Sequence, residues 1–205
     1  MQAKRDVVGL VIAGGRSTRF GGEKAIALLM GRPLLLLAAD RLREVARAVA
    51  VNSRPGTAAT ALAQRSGLLV LADEPGDADG PLAGVKVGLR WALEQRATHL
   101  VVSPCDVPLA PVSLFARLVE AAGDGAAMAA TAEGRQPLCA VWPVAALPQV
   151  VEALRDGAHP PTWRVLESLG AVRVMHDDAD SFANLNTRED LARLEARLTS
   201  DGTPR

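Results

Sequence analysis

The 205-residue chain has few aromatic side chains, two cysteines and no excess of charge of either sign. Aromatic residues make up 3% of the chain and tyrosine is absent, which reflects a compositional bias rather than a function. The 23 basic and 23 acidic residues cancel, so the chain lacks the positive charge typical of proteins that bind nucleic acids or anionic membranes. An anion that binds this protein must therefore be held by a local arrangement of residues.

The cysteines and the N-terminal segment exclude several further classes. Cys105 and Cys139 form no C-x-x-C pair and no Cys/His cluster with zinc spacing, which argues against a disulfide scaffold and a structural zinc site and favours a reducing compartment. The apolar run after MQAKRD is too short to span a membrane and lacks a signal-peptide cleavage pattern. We expect a cytoplasmic protein with neither membrane nor nucleic-acid partners.

Several catalytic signatures are also missing. The chain contains no G-x-x-x-x-G-K-[ST] loop, no G-x-G-x-x-G fingerprint and no pattern typical of a Ser/His/Asp or Cys/His site. His99, His159 and His176 stand without a matching nucleophile and are interpreted as structural. What remains suits a reaction that needs aligned phosphates, a metal ion and charge neutralisation, as phosphoryl and nucleotidyl transfer do.

Short apolar runs alternate with segments of helical period, which predicts an α/β fold whose mostly parallel sheet is covered on both faces. The strands are predicted at 7–13, 48–52, 68–72, 99–103, 126–131, 138–142 and 171–176. The helices are predicted at 33–45, 57–66, 82–95, 111–122, 144–155, 162–169 and 187–198. Two adjacent strands joined by AEGRQP predict a short antiparallel excursion. Residues 1–199 are predicted to form a single domain, and 200–205 a disordered C-terminal tail.

Ligands of such folds bind beyond the carboxyl ends of the strands, and the first of these loops reads GGRSTRFGGEK. Gly14 and Gly15 let the backbone approach a ligand and direct successive N–H groups to one point. Arg16, Arg19 and Lys24 add positive charge, and arginine can hold phosphate oxygens through two parallel hydrogen bonds. A glycine-rich turn with solvated arginines is the alternative that this loop alone leaves open.

Three further strand ends carry polar residues. Asp106, in PCDVPL, is placed to hold Mg²⁺ on a substrate phosphate and lies too far ahead of the next helix to cap it. Asp73, directly after its strand, is a candidate ligand contact, whereas Asp77 and Asp79 are equally explained by an ordinary flexible loop. Asn52 can both donate to and accept from a base edge or a sugar.

The segment FANLNTREDL precedes the last predicted helix. Asn186 or Thr187 together with Glu189 explains it as a helix cap. A helix cap does not require two asparagines, Asn184 and Asn186, before it, so either side chain could also reach a metal or a substrate.

These motifs resemble those of a known family. LVIAGGRSTRFGGEKAIALLMGRPLL resembles the signature L-A-G-G-x-S-x-R-M-G-x-x-K of small-molecule nucleotidyltransferases, and GPLAG, PCDVPL and FANLNTREDL narrow the likeness to the molybdenum cofactor guanylyltransferases. The likeness extends over residues 7–198. It implies a three-layer α/β/α Rossmann-like nucleotidyltransferase fold. It also implies an Mg²⁺-dependent enzyme that transfers GMP from GTP to molybdopterin, or its molybdenum-bearing form, and releases pyrophosphate.

The resemblance also implies roles for individual residues and partners. The implied catalytic residues are Arg19, Lys24 and Asp106; the implied nucleotide contacts are Ile12, Ala13, Gly14, Gly15, Lys24, Asn52, Asp73 and Asp106; Asp106 is the implied metal ligand; and Asn184 and Asn186 are implied on the pterin side. Transient contact with molybdenum-insertion proteins or apo-molybdoenzymes follows from the same likeness. A cytidylyltransferase that makes the cytosine dinucleotide and a non-catalytic nucleotide or pterin carrier are the alternatives.

Two departures from the family pattern stand out. Glu23 replaces the aspartate common before the motif lysine, which is a mild change. The segment GAHPPTWR, 157–164, lacks the consecutive basic residues typical of the family, and this puts a pterin-phosphate contact from the segment in doubt, with Arg164 as a substitute.

Overall fold

The computed structural model describes residues 6–14, 20–77 and 79–200. Its strands are β1 Val7–Ile12, β2 Leu28–Leu29, β3 Arg32–Pro33, β4 Val49–Asn52, β5 Leu69–Leu71, β6 His99–Pro104, β7 Ala127–Thr131, β8 Gly134–Pro143 and β9 Val172–Met175. Its α-helices are α1 Leu34–Arg43, α2 Ala58–Arg65, α3 Pro81–Glu94, α4 Val112–Ala122, α5 Leu147–Ala153, α6 Thr162–Ser168 and α7 Arg188–Ser200. Ser200, predicted to open the tail, thus ends α7, and residues 201–205 lie outside the described part.

A seven-stranded sheet organises the described residues, in the order β5-β4-β1-β6-β8-β7-β9. Strand β8 runs antiparallel to both of its neighbours, and the other pairings are parallel, which confirms the predicted sheet and its antiparallel excursion. Ile12 at the carboxyl end of β1 is in register with Asn52 of β4 and Pro104 of β6. The loops that follow these three strands therefore meet at one edge of the sheet.

The sheet is covered by helices on both faces, as the apolar runs predict. Successive residues of β1 enter opposite cores: Val7 and Val11 pack with residues of α1, α2 and α4, whereas Val8 and Leu10 pack with residues of α3, α5 and α6. This two-sided burial explains why the strand VVGLVI is apolar throughout rather than alternating. No helix among the described residues is long and apolar enough to cross a membrane.

The β7–β8 hairpin differs from the prediction. Strand β8 begins at Gly134, four residues before the predicted start at 138, so the connection is shorter than AEGRQP. The pairing then slips, because Met128 faces Ala140 while Ala129 faces Gln136, and residues 137–139 bulge out of the ladder. A proline cannot donate to a ladder, so Pro137 conceals the early strand from sequence analysis and accounts for the bulge. The bulge brings Leu138 into the cavity described below.

The predicted helix over 144–155 is also divided. A 3-10 turn, Val144–Ala146, precedes α5, which ends at Ala153. Pro148 in the first turn of α5 lacks the N–H that would join the two parts into one continuous α-helix. The β2–β3 hairpin was not predicted, because two-residue strands carry no measurable periodicity.

Candidate active site

A cavity of about 480 Å³ opens at the carboxyl ends of β1, β4 and β6 and at the start of α3. This volume is in the range of small-molecule sites, about 300–1,000 Å³. The described residues that line it are Ile12, Ala13, Gly14, Lys24, Ala25, Asn52, Arg54, Asp73, Asp79, Gly80, Pro81, Pro104, Cys105, Asp106, Leu138 and Asn186. The structure therefore brings together the predicted residues of four loops that are distant in sequence.

Lys24 and Asp106 form an ion pair in this cavity. Lys24 opens a 3-10 turn, Lys24–Ile26, and its Nζ donates to Asp106 Oδ2 over 2.7 Å. The two side chains are 14% and 23% exposed, so the pair is largely screened from bulk water but open to a ligand in the cavity. Asn186 Oδ1 accepts from the same ammonium at 3.4 Å. A cation, a carboxylate and an amide oxygen thus converge on one point.

The C-terminal motif is tied to the Asp106 loop through its backbone. Leu185 N donates to Asp106 O over 3.0 Å, which sets the neighbouring Asn186 beside the ion pair. Asp190 Oδ2 accepts from the backbone N–H groups of Asn186, at 3.0 Å, and Thr187, at 2.9 Å. Hydrogen bonding from Thr187 holds the pKa of Asp190 below its usual value.

The cap of α7 differs in one partner from the prediction. Thr187 Oγ1 accepts from Asp190 N over 3.1 Å, so the capping partner is Asp190 rather than the adjacent Glu189. Asn186 lines the cavity, whereas Asn184 is exposed and lies outside the described lining.

Asn52 is held rigidly at the end of β4. Its Nδ2 donates to Asp73 Oδ1 over 2.8 Å and to Leu71 O over 3.2 Å. Both amide hydrogens are therefore used within the protein, and the amide oxygen is the atom that a ligand can address. A Cβ atom on Gly84 of α3 would overlap that oxygen and lie 2.9 Å from Ile12 Cδ1. Only glycine lets α3 pack this closely on the strand ends.

The backbone after β1 is partly committed to its neighbours. Ala13 N donates to Asn52 O over 2.9 Å, and Ile12 O accepts from Cys105 N over 3.3 Å. The Ala13 amide and the Ile12 carbonyl are therefore already engaged within the protein. Gly15, Arg16 and Arg19 lie outside the described residues.

With this geometry in place, comparison with known proteins identifies the family. A family model described as the MobA-like NTP transferase domain matches residues 9–174. A curated protein of Cereibacter sphaeroides, named molybdenum cofactor guanylyltransferase, is 40% identical over 195 residues, which are 94% of this chain and 97% of that protein. The chain belongs to the MobA-like NTP transferase family. The resemblance inferred from the motifs is confirmed, and the protein is a nucleotidyltransferase.

Solved structures show the same fold. Molybdopterin-guanine dinucleotide biosynthesis protein A from Archaeoglobus fulgidus matches with a TM-score of 0.75 at 22% identity, over 94% of this chain and 99% of that one. Rv0371C from Mycobacterium tuberculosis, solved in complex with manganese, matches with a TM-score of 0.65 at 20% identity, over 93% and 98%. The Rossmann-like nucleotidyltransferase fold expected from the motifs is therefore confirmed.

The sequence alone assigned no role at this MobA-like site to Arg54, Asp79 or His159. Arg54 and Asp79 line the cavity and join two of its loops through an ion pair of 3.2 Å. His159, interpreted as structural, packs on the lining residue Gly80, where its ring occupies the space that a Cβ would take. The loops around Arg54 and Asp79 were recognised as candidates, but composition does not tell which side of a loop faces inward. The contact between His159 and Gly80 joins residues far apart in the sequence, so no local pattern predicts it.

The acidic loop of the MobA-like domain is anchored by a buried lysine. Lys86 of α3, whose side chain is 8% exposed, pairs with Asp77 and, at 3.0 Å, with Glu74. Arg90, one turn further on, also pairs with Glu74. Asp77 and Glu74 thus hold the loop that carries Asp73 and Asp79 to the cavity, which is a structural role that the sequence left open for Asp77.

The two cysteines of the MobA-like domain are free and buried. Burial raises the pKa of the Cys105 thiol and of the Cys139 thiol to about 12. Both thiols are therefore protonated at neutral pH and unsuited to act as nucleophiles, which fits packing roles for both side chains.

Proposed function

We propose that this MobA-like enzyme transfers GMP from GTP to molybdopterin, or to its molybdenum-bearing form, and so makes the guanine dinucleotide cofactor. The observation that carries the proposal is the Lys24–Asp106 pair, set beyond the carboxyl ends of β1 and β6 in a cavity of suitable size. The 40% identity to a protein named molybdenum cofactor guanylyltransferase supports the same reaction.

The reaction exchanges one phosphoanhydride bond for another. A phosphate oxygen of the acceptor attacks the α-phosphorus of GTP, the bond between that phosphorus and the bridging oxygen to the β-phosphate breaks, and pyrophosphate leaves with the bonding electrons. The attacking oxygen is already an anion, so no general base has to remove a proton. This fits a site built around a carboxylate, a lysine and an amide, because such a reaction is accelerated mainly by alignment and charge neutralisation.

The nucleotide is proposed to lie along the loop after β1. Gly14 and Lys24, with Gly15 and Arg19 from the segment outside the described residues, would hold the triphosphate. The oxygen of Asn52 is directed to accept from a ribose hydroxyl or a base N–H, since both of its amide hydrogens are used by Leu71 and Asp73. Asp73 shares this contact region.

The donor set fits a magnesium ion bound together with the nucleotide. Asp106 offers a hard carboxylate oxygen, and the described residues contain no group of three or more His, Cys, Asp and Glu side chains that could hold a metal by themselves. Mg²⁺ typically takes one or two protein carboxylates and completes its shell with water and substrate phosphates. When bound, the ion would neutralise charge on the α-phosphate and the leaving pyrophosphate. The manganese complex of Rv0371C concerns that protein and is consistent with this assignment.

The acceptor is proposed to approach from the side of the C-terminal motif. Asn186 reaches Lys24 Nζ at 3.4 Å and is therefore the better placed of the two asparagines assigned to the pterin side. Asn184 is exposed on the same segment and would act only from the rim.

A direct assay tests the proposal. Purified protein is incubated with MgCl₂, molybdopterin and either GTP or CTP, and the dinucleotide is measured by chromatography with mass detection alongside pyrophosphate. We expect guanine dinucleotide from the wild type. Asp106→Asn is expected to lose about 10³-fold of the activity, in line with losses on removing one stabilising group, whereas the exposed Asp124→Asn should retain it. Product from CTP alone would identify a cytidylyltransferase, and nucleotide binding without product would indicate a carrier.

A further inference from the structure

Glu23 precedes Lys24 but its side chain contacts a different element, the N-terminal turn of α2. Its Oε1 accepts from Ala58 N over 2.8 Å and its Oε2 from Ala59 N over 2.7 Å. The first amides of a helix have no partner within the helix, and a carboxylate placed there is favoured by the helix dipole. Thr57 Oγ1 accepts from Thr60 N at 3.2 Å. Glu23 and Thr57 therefore share the capping of α2.

The backbone of Glu23 is tied to the turn that carries Lys24. Glu23 is the N-terminal flanking residue of the Lys24–Ile26 turn, and its carbonyl accepts from Ile26 N over 3.3 Å. One residue therefore connects the start of α2, through its carboxylate, to the lysine-bearing turn, through its carbonyl. The carboxylate contacts thereby fix the position of the residue from which the Lys24 turn starts.

The same turn of α2 holds a second loop of the cavity. Thr57 Oγ1 donates to Arg54 O over 2.8 Å, and Thr60 Oγ1 donates to the same carbonyl over 2.6 Å. Arg54 lines the cavity. The start of α2 is thus a fixed point for both the lysine loop and the Asn52–Arg54 loop, although α2 itself contributes no residue to the described lining.

We propose that Glu23 is a positioning residue that sets Lys24 against Asp106 and an incoming triphosphate by anchoring the lysine loop on α2. The inference rests on the proposed function for what Lys24 does to the nucleotide. This anchoring requires a carboxylate, because the two backbone N–H groups donate to two different oxygens of Glu23. A glutamine side chain offers only one acceptor oxygen. Glu23→Gln therefore keeps the size of the side chain and loses one of the two anchors.

A double-mutant cycle with inorganic triphosphate as the probe tests this coupling. Calorimetry would compare wild type, Glu23→Gln, Lys24→Met and the double variant, with Glu94→Gln at an exposed position as the matched control. We expect Glu23→Gln to weaken binding about fivefold to tenfold when Lys24 is present and less than twofold in the Lys24→Met background. Glu94→Gln should bind like the wild type.

Two results would overturn the proposal. One is an equal effect of Glu23→Gln with and without Lys24, which would mean that Glu23 stabilises α2 without positioning the lysine. The other is wild-type protein that does not bind triphosphate, which would remove the role of Lys24 itself. Intact coupling in protein that makes no dinucleotide would refute the proposed acceptor and leave the assignment of Glu23 in place.

Discussion

Replacing Lys24 by methionine removes the ammonium that contacts Asp106 but keeps an unbranched side chain in its place. In the structure Nζ donates to Asp106 Oδ2 over 2.7 Å, so a divalent cation that binds this carboxylate without nucleotide competes with the ammonium for Oδ2 and is repelled by its charge. When a triphosphate is present, Lys24 can transfer to the phosphate oxygens and release the carboxylate. We therefore expect Lys24→Met to bind Mn²⁺ more tightly than the wild type in the absence of nucleotide.

The expected gain in Mn²⁺ affinity can be judged from the solvent exposure of the Lys24–Asp106 ion pair. A hydrogen bond to a charged group contributes about 1.5–3 kcal/mol and a fully exposed ion pair only about 0–1 kcal/mol. With side chains 14% and 23% exposed, the Lys24–Asp106 pair falls between these limits, at about 1–2 kcal/mol, or roughly a fivefold to thirtyfold change in dissociation constant. The effect on catalysis has the opposite sign, because loss of one stabilising cation should lower kcat/KM about 100-fold or more.

Electron paramagnetic resonance of free Mn²⁺ gives the dissociation constant without any turnover. Arg65→Met removes one positive charge from an exposed position and should leave Mn²⁺ binding unchanged, whereas Asp106→Asn should abolish the tight component. Mn²⁺ affinity that is equal or weaker in Lys24→Met would refute the idea that lysine and metal compete for the carboxylate. A Lys24→Met variant that binds Mn²⁺ more tightly but turns over more slowly would also exclude misfolding, because misfolding would lower both Mn²⁺ affinity and turnover.

Three further predictions concern the frame of the site. Gly84→Ala should displace the Asn52 amide and raise KM for GTP about tenfold, equivalent to about 1.4 kcal/mol, while Gly125→Ala, whose Cβ meets only an ordinary contact, should leave KM unchanged; equal KM values would contradict the close packing. The thiols of Cys105 and Cys139, with pKa raised to about 12 from an ordinary 9.0, stay protonated in the folded state while the unfolded chain ionises above pH 9. Urea unfolding should therefore show stability falling from pH 9 upward, and rapid thiol labelling of native protein at pH 8 would refute their burial. Lys86→Met leaves the largely buried carboxylate of Asp77 without its cation, while Glu74 keeps its pair with Arg90; it should lower the free energy of unfolding by about 2–3 kcal/mol, measured by denaturant titration, and an unchanged midpoint would contradict this.

The sheet and the convergence of its loops could be predicted because both depend on simple periodic patterns. The run VVGLVI is apolar at every position, which indicates a strand buried on both faces, and parallel strands bring their carboxyl ends together. Asn52 ends one such run and Asp106 lies two residues beyond another, so their approach to the loop after β1 could be predicted from the pattern alone.

The contacts that orient these residues could not be predicted in the same way. The carboxylate of Glu23 accepts from α2, and the ring of His159 lies against Gly80; both depend on loop directions that periodicity does not encode. Glu23 looked like a mild departure from the motif, yet its longer side chain makes two backbone contacts. The bulge that places Leu138 in the cavity depends on a register slip, which a run interrupted by a proline conceals.

The most direct test of guanylyl transfer follows the phosphorus atoms of the nucleotide. Wild-type protein with Mg²⁺ and molybdopterin is supplied with GTP labelled at the α-phosphate or at the γ-phosphate, and the pterin product is isolated. Transfer of GMP predicts label in the dinucleotide from α-labelled GTP alone, with the γ-label recovered in pyrophosphate, and loss of both signals in Asp106→Asn. Label from the γ-phosphate in the pterin product, or unchanged transfer by Asp106→Asn, would contradict the proposed reaction and its central residue.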